Sequence, residues 1–148
     1  MNPDIINIDI TKQTLFFCGK SFLISSAKNG LGEIENSFCT PRGKHKIIEK
    51  IGDGALINTV FVGRKKTGEI YNPTLEDKYP NRDWILTRIL WLEGCEVANR
   101  NSKNRYIYIH GTPDKVGVPL SHGCIRMNNK DIIELFDKVD VGTEVLIS

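Results

Sequence analysis

Six consecutive residues, Ser121-His122-Gly123-Cys124-Ile125-Arg126, bring a hydroxyl, an imidazole, a thiol and a guanidinium together. Upstream of Ser121 stands His110, followed at once by Gly111. A free cysteine has a pKa of about 8.5, so near neutral pH it needs a base to act as a nucleophile. A glycine directly before the nucleophile lets the backbone approach a substrate and turn its N–H groups inward. The pattern points to a Cys124 nucleophile with a histidine partner, and two histidines compete for that role. His122 is two residues from Cys124, and in an extended segment the two side chains share a face. His110 is remote in sequence, but the loop after it returns to the cysteine. Spacing leaves the choice open. The alternative is a turn that merely contains a cysteine, with both histidines packed structurally. Two histidines and one thiol without a clear fourth ligand make an incomplete zinc set, so no metal is expected.

The elements that must position these residues are mostly strands. Ile6, Ile8 and Ile10 alternate with polar residues, and Leu15–Phe17 and Phe22–Ser25 follow across tight turns, so the chain opens on a β-meander. Residues Lys28–Gly32 form a loop, and Thr40-Pro41-Arg42-Gly43 forms a defined turn. Lys46–Ile51 reads as a strand, with His45 in a solvated loop before it. Asn58–Gly63 is a short strand. From Arg64 to Asp83 the sequence is polar and without periodicity: a long loop that acts as a lid or lies as a disordered excursion. Trp84–Leu92 is the longest apolar run. Arg88 in its middle needs a partner, either a structural carboxylate or an anionic substrate.

Tyr106, Tyr108 and His110 share one face of a strand that His110 ends, and Ile107 and Ile109 share the other. Asn128 caps a helix that has Asp131 in its first turn and an apolar stripe of Ile132, Leu135, Phe136 and Val139. Val145–Ile147 closes the chain as a strand. The expected class is a β-rich α+β domain with one helix, after the cysteine.

The length of 148 residues suits a single domain spanning 1–148. The net charge is +2. The basic clusters at Lys44–Lys46 and Arg64-Lys65-Lys66 are short and lack interleaved aromatics, so they read as solvated surface and no nucleic-acid partner is expected. No apolar run approaches the ~18 residues of a membrane span, so no membrane partner is expected either. Residues Met1–Ile10 carry Asp4 and Asp9 and no basic region, unlike a signal peptide. With Met1 as the native start, the expected compartment is the cytoplasm; a processed or truncated form would be periplasmic. In the cytoplasm Cys18, Cys39, Cys95 and Cys124 stay thiols.

His110-Gly111-Thr112, then Gly117, then Ser121-His122-Gly123-Cys124-Ile125-Arg126-Met127 resembles the signature of the YkuD-type L,D-transpeptidase catalytic domain. The Ile8–Ile10 and Gln13–Leu15 opening, the Thr40–Gly43 turn, the helix with Asp131 and Val141–Val145 resemble it too, so the likeness spans essentially the whole chain. The resemblance implies a YkuD-like fold of packed mixed sheets and a cysteine acyl-transferase acting on peptidoglycan tetrapeptide stems or muropeptides, without a cofactor. It implies His110 as the base, with the Gly111 carbonyl as third member of the triad. His122, Gly123 and Cys124 would line the oxyanion hole through backbone N–H groups, where one such donor typically lowers the barrier by roughly 3–4 kcal/mol. Ser121 belongs to the same substrate-binding set. Arg126 is placed to fork onto a substrate carboxylate, with a structural ion pair as its alternative.

The implied reaction is attack on the bond between the L-centre residue and the terminal D-alanine, through a thioester. An amine acceptor makes a crosslink. In the cytoplasm water is the expected acceptor, giving L,D-carboxypeptidase action on recycled muropeptides. An exported 3-3 crosslinking transpeptidase is the alternative within the family, and a non-catalytic peptidoglycan-fragment binder or thiol sensor is the alternative outside it. Carbapenems are expected to acylate Cys124.

Overall fold

A computed structural model describes residues 4–148; residues 1–3, part of the stretch read for an export signal, lie outside them. The strands are β1 (Ile5–Asp9), β2 (Thr14–Phe17), β3 (Lys20–Ser25), β4 (Gly43–Ile51), β5 (Thr59–Val62), β6 (Lys65–Ile70), β7 (Ile85–Gly94), β8 (Tyr108–Thr112), β9 (Ile125–Asn128) and β10 (Glu144–Ile147). Helix α1 (Pro73–Lys78) precedes β7, and α2 (Asn129–Lys138) follows β9.

All ten strands join one mixed sheet in the order β4-β10-β1-β2-β3-β9-β8-β7-β5-β6, and β7 also pairs with β4. That last pairing closes the strands from β4 to β7 into a ring and leaves β5 and β6 as an extension. Strand β7 manages both neighbours by sharing one edge: its first residues pair with β5 and the rest, from Ile89 onward, with β4. Among the paired strands of the described residues, β1 with β10 and β8 with β9 run parallel and the others antiparallel.

Period-two alternation explains the interior. Ile6, Ile8, Leu15, Phe17, Ile24, Ile47, Leu90, Leu92, Ile109, Ile125, Met127, Val145 and Ile147 all join one apolar core. Fully burying such a side chain stabilises by about 1.5–3 kcal/mol. Helix α2 covers one flank of the ring, against β7, β8 and β9, with Ile132, Leu135, Phe136 and Val139 buried there. Asn128 caps it as expected, its side chain accepting from the Lys130 N–H at 3.0 Å.

A second helix joins the one expected after the cysteine, and three expectations need correction. The segment 64–83 is neither an irregular loop nor a disordered excursion: it holds β6, paired to β5, and α1, whose cap Asn72 accepts from the Leu75 N–H at 2.9 Å. Strand β6 escaped notice because it is a sheet edge whose side chains face water, so it carries no alternation. His45 is fully buried rather than solvated, because β4 begins at Gly43 and turns Lys44 and Lys46 out and His45 in. Its Nδ1–H donates to the Gly43 carbonyl at 3.0 Å and its Nε2 meets Ser102 Oγ at 2.9 Å. Arg88 meets neither a carboxylate nor the substrate cavity. It donates to the Ala55 and Thr87 carbonyls at 2.8 and 2.7 Å and lies over the Phe136 ring.

Candidate active site

Strands β8 and β9 lie side by side in parallel, with Ile109 opposite Ile125 and His110 opposite Arg126. Their isoleucines enter the core, so alternation sends Tyr108, His110, Cys124 and Arg126 to the other face. That face lines a cavity of about 560 Å³, shared with Ser121, His122, Arg64, Asp83, Arg105 and Tyr106. Of the residues singled out in the sequence, Ser121, His122, Cys124, Arg126 and His110 meet at this cavity, while Gly111 and Gly123 do not line it.

His110 is 1 % exposed. Its Nδ1 lies 2.7 Å from the Gly111 carbonyl oxygen. A carbonyl only accepts, so Nδ1 carries the proton and Nε2 carries the free lone pair. That Nε2 is buried and has no hydrogen-bond partner among the described residues. The ring is thus held in the tautomer a base requires. Burial lowers the His110 pKa; Asp83 and the Gly111 carbonyl oppose this, and Arg126 adds to it.

The Cys124 thiol donates to the Tyr106 carbonyl at 3.3 Å, and its sulfur accepts from the Tyr108 N–H at 3.4 Å. Burial pushes the thiol up to about 12, against the pull of the Tyr108 N–H and of Arg126 and Arg105. Both directions favour a neutral thiol beside a neutral imidazole at rest.

A bulge in β7 sets the histidine. His110 and Gly111 are consecutive on β8, yet they pair with Ile89 and Leu86 on β7, which leaves Thr87 and Arg88 as extra residues. Thr87 takes φ 76°, a conformation β-branched residues rarely adopt. Its Oγ1 accepts from the Asn58 N–H at 3.0 Å and donates to Asn129 Oδ1 at 2.7 Å. The bulge packs so closely on Gly111 that a Cβ there would lie 2.6 Å from the Leu86 carbonyl oxygen. Glycine at 111 is therefore a packing requirement as well as a source of the carbonyl.

Ser121 and Thr40 hold the nucleophile loop. Ser121 Oγ donates to the Cys124 carbonyl at 2.5 Å and accepts from the Gly123 N–H at 3.1 Å. Thr40 Oγ1 accepts from the Ala27 N–H and donates to the Gly123 carbonyl, each at 2.9 Å. Gly123 itself needs φ +136°, with Cys39 and Ile107 crowding the place of a side chain. Its amide is engaged by Ser121 and does not face the cavity as a free donor, which corrects its place among the expected oxyanion donors. His122 is exposed at the cavity mouth, edge-on to Phe38 at 5.7 Å between ring centres. Arg126 takes the ion-pair alternative, with Asp83 and Asp114 both at 3.3 Å.

Sequence reasoning missed Asp83, Arg64, Arg105 and Thr87. Asp83 and Arg64 bound the polar stretch without periodicity, and Thr87 looks like an ordinary strand residue. Arg105 sits in a polar turn, where it donates to the Gly32 and Cys39 carbonyls. No cluster of three or more possible metal ligands occurs among the described residues.

The YkuD family, the L,D-transpeptidase catalytic domain, matches residues 3–147. A protein of Escherichia coli strain K12 named "Probable L,D-transpeptidase YbiS" is 54 % identical over 118 residues, covering 71 % of this chain and 39 % of that protein. The L,D-transpeptidase of Xylanimonas cellulosilytica has a crystal structure that matches 97 % of this chain and 59 % of its own, with TM-score 0.60 and 20 % identity. L,D-transpeptidase 3 of Mycobacterium tuberculosis, solved in complex with a faropenem-derived adduct, matches 97 % of this chain and 59 % of its own, with TM-score 0.59 and 15 % identity. These structural likenesses are of fold. The chain spans well under two thirds of the length of each of these relatives.

Proposed function

The chain belongs to the L,D-transpeptidase catalytic domain family, and on that premise we propose that it is a cysteine acyl-transferase acting on peptidoglycan tetrapeptide stems. The observation that carries the reading is the His110 ring. Its Nδ1–H is held by Gly111 O and its Nε2 lone pair is left without a partner, in a cavity shared with Cys124. In the first half-reaction Nε2 takes the thiol proton as sulfur attacks the carbonyl of the L-centre residue. The backbone amides of His122 and Cys124 serve the oxyanion. The tetrahedral intermediate collapses, the C–N bond to D-alanine breaks, and the imidazolium gives its proton to the departing amine. A thioester remains on Cys124. In the second half-reaction, His110 takes a proton from the acceptor: water gives a tripeptide, and the amine of a second stem gives a crosslink.

Penems and carbapenems present a strained acyl group to the same sulfur, and we expect them to acylate Cys124. Incubating the protein with disaccharide-tetrapeptide, and separately with free tetrapeptide, tests the proposal. Mass spectrometry should find D-alanine together with tripeptide or crosslinked dimer. Tripeptide without dimer assigns hydrolysis as the outcome; recovery of intact tetrapeptide alone would rule the reaction out.

A further inference from the structure

Three guanidiniums line the cavity, and they are not equally free. Arg105 is spent on the Gly32 and Cys39 carbonyls and on Ser37 Oγ. Arg126 faces Asp83 and Asp114, so two carboxylates already answer its charge. Arg64 makes no ion pair among the described residues. Its one hydrogen bond to a side chain runs from Nη1 to the neutral Tyr108 hydroxyl at 3.0 Å. Its flat face lies over the rings of Trp91 and Tyr106, at 4.7 and 5.0 Å from their centres.

The backbone shows that this placement is costly. Gly63 and Arg64 join β5 to β6, and both take left-handed conformations, φ 57° and 65°. Such a two-residue turn favours glycine or asparagine, and arginine at φ > 0 is strained. Strain of this kind persists at positions that bind or catalyse. What it achieves is geometric: the turn throws the guanidinium across the aromatic pair onto Tyr108. The main-chain N–H of Tyr108 meets the Cys124 sulfur, so one residue links the guanidinium to the nucleophile. A stacked guanidinium is fixed before the ligand arrives, and its fork matches a carboxylate.

We propose that Arg64 is the residue of the cavity that binds a carboxylate of the acyl donor. The inference rests on the acyl-transfer reading and transfers to Arg64 the carboxylate contact first assigned to Arg126. Arg126, held between two aspartates, keeps a structural and electrostatic role.

The experiment uses tetrapeptide donors in which each free carboxylate in turn is replaced by an amide, with the wild-type protein, Arg64→Gly and Arg64→Lys. Glycine suits the left-handed turn, so Arg64→Gly keeps the backbone. With the fully anionic donor, Arg64→Gly should raise KM about tenfold or more and leave kcat within about twofold. Arg64→Lys, which retains charge without the fork, should fall between. One amidated donor should reproduce the KM rise in the wild type and be indifferent to Arg64→Gly. Equal penalties on every donor, or an unchanged KM, would overturn the proposal. A calorimetric titration of Cys124→Ala with the tetrapeptide separates this inference from the reaction itself. Binding weakened by adding Arg64→Gly supports the subsite even without turnover, and binding absent or unaffected overturns it.

Discussion

The two walls of the cavity are built in opposite ways. On one side stand β8, β9 and the loop before β9, where His110 and Ser121 are at most 2 % exposed and the polar groups around the nucleophile are tied to the backbone. On the other stand the β5–β6 turn and Asp83, where Val62, Gly63, Lys65 and Lys66 face water and the contacts are long side chains stacked or paired at the surface. The first wall brings together a buried imidazole with an unpartnered nitrogen and a thiol at the cavity surface. The second sets the charge a ligand meets. On the proposed reading, proton transfer is assigned to the buried wall and ligand selection to the hydrated one.

That contrast can be broken by substitution. His110→Ala should lower kcat/KM by about 10²–10⁴, the usual contribution of a positioned base. His122→Ala, at the exposed mouth, should cost less than about tenfold. Comparable losses in steady-state kinetics would return the base role to His122. Thr40→Val leaves the Ala27 N–H and the Gly123 carbonyl without their partner and should destabilise by about 1–3 kcal/mol in urea unfolding, with a fall in kcat as the loop loosens. Glu69→Gln on the β6 edge, which removes the charge from the pair with Arg82 and leaves an acceptor for Thr67 Oγ1, should leave the urea midpoint unchanged.

The pH profile sharpens the same contrast. Burial lowers the pKa of His110, so the base stays neutral below the ordinary histidine value. The acid limb of kcat/KM should therefore lie below about pH 6.5. Stability follows the same sign. The unfolded chain protonates His110 and His45 near pH 6.5 while the folded chain resists. Stability is fully present above that pH and falls as pH drops towards the lowered folded values. An acid limb above 6.5 would mean that His110 is not the buried neutral group described here.

Much of the first wall was legible in the sequence because its signals are local. The alternation through Tyr108 and His110, the glycine before Cys124 and the capped helix behind them each lie within a few residues. The resemblance to a known signature then chose between two histidines that spacing had left equal. The second wall was not legible. Strand β6 has no buried face to impose a period, Arg64 looked like one of three solvated cations, and Asp83 reaches the site only because β7 carries it there. Thr87 and His45 failed for a different reason. A bulge and an early strand start change which way a side chain points without changing its residue type.

The central claim is that Cys124 carries the acyl group with His110 as its base. Intact-protein and peptide mass spectrometry after rapid quenching with tetrapeptide tests it most directly. The wild type should gain the mass of the donor less D-alanine, mapped to Cys124, and the Cys124→Ala variant should gain nothing and release no D-alanine. An adduct on Cys39, or D-alanine released by the Cys124→Ala variant, would contradict it.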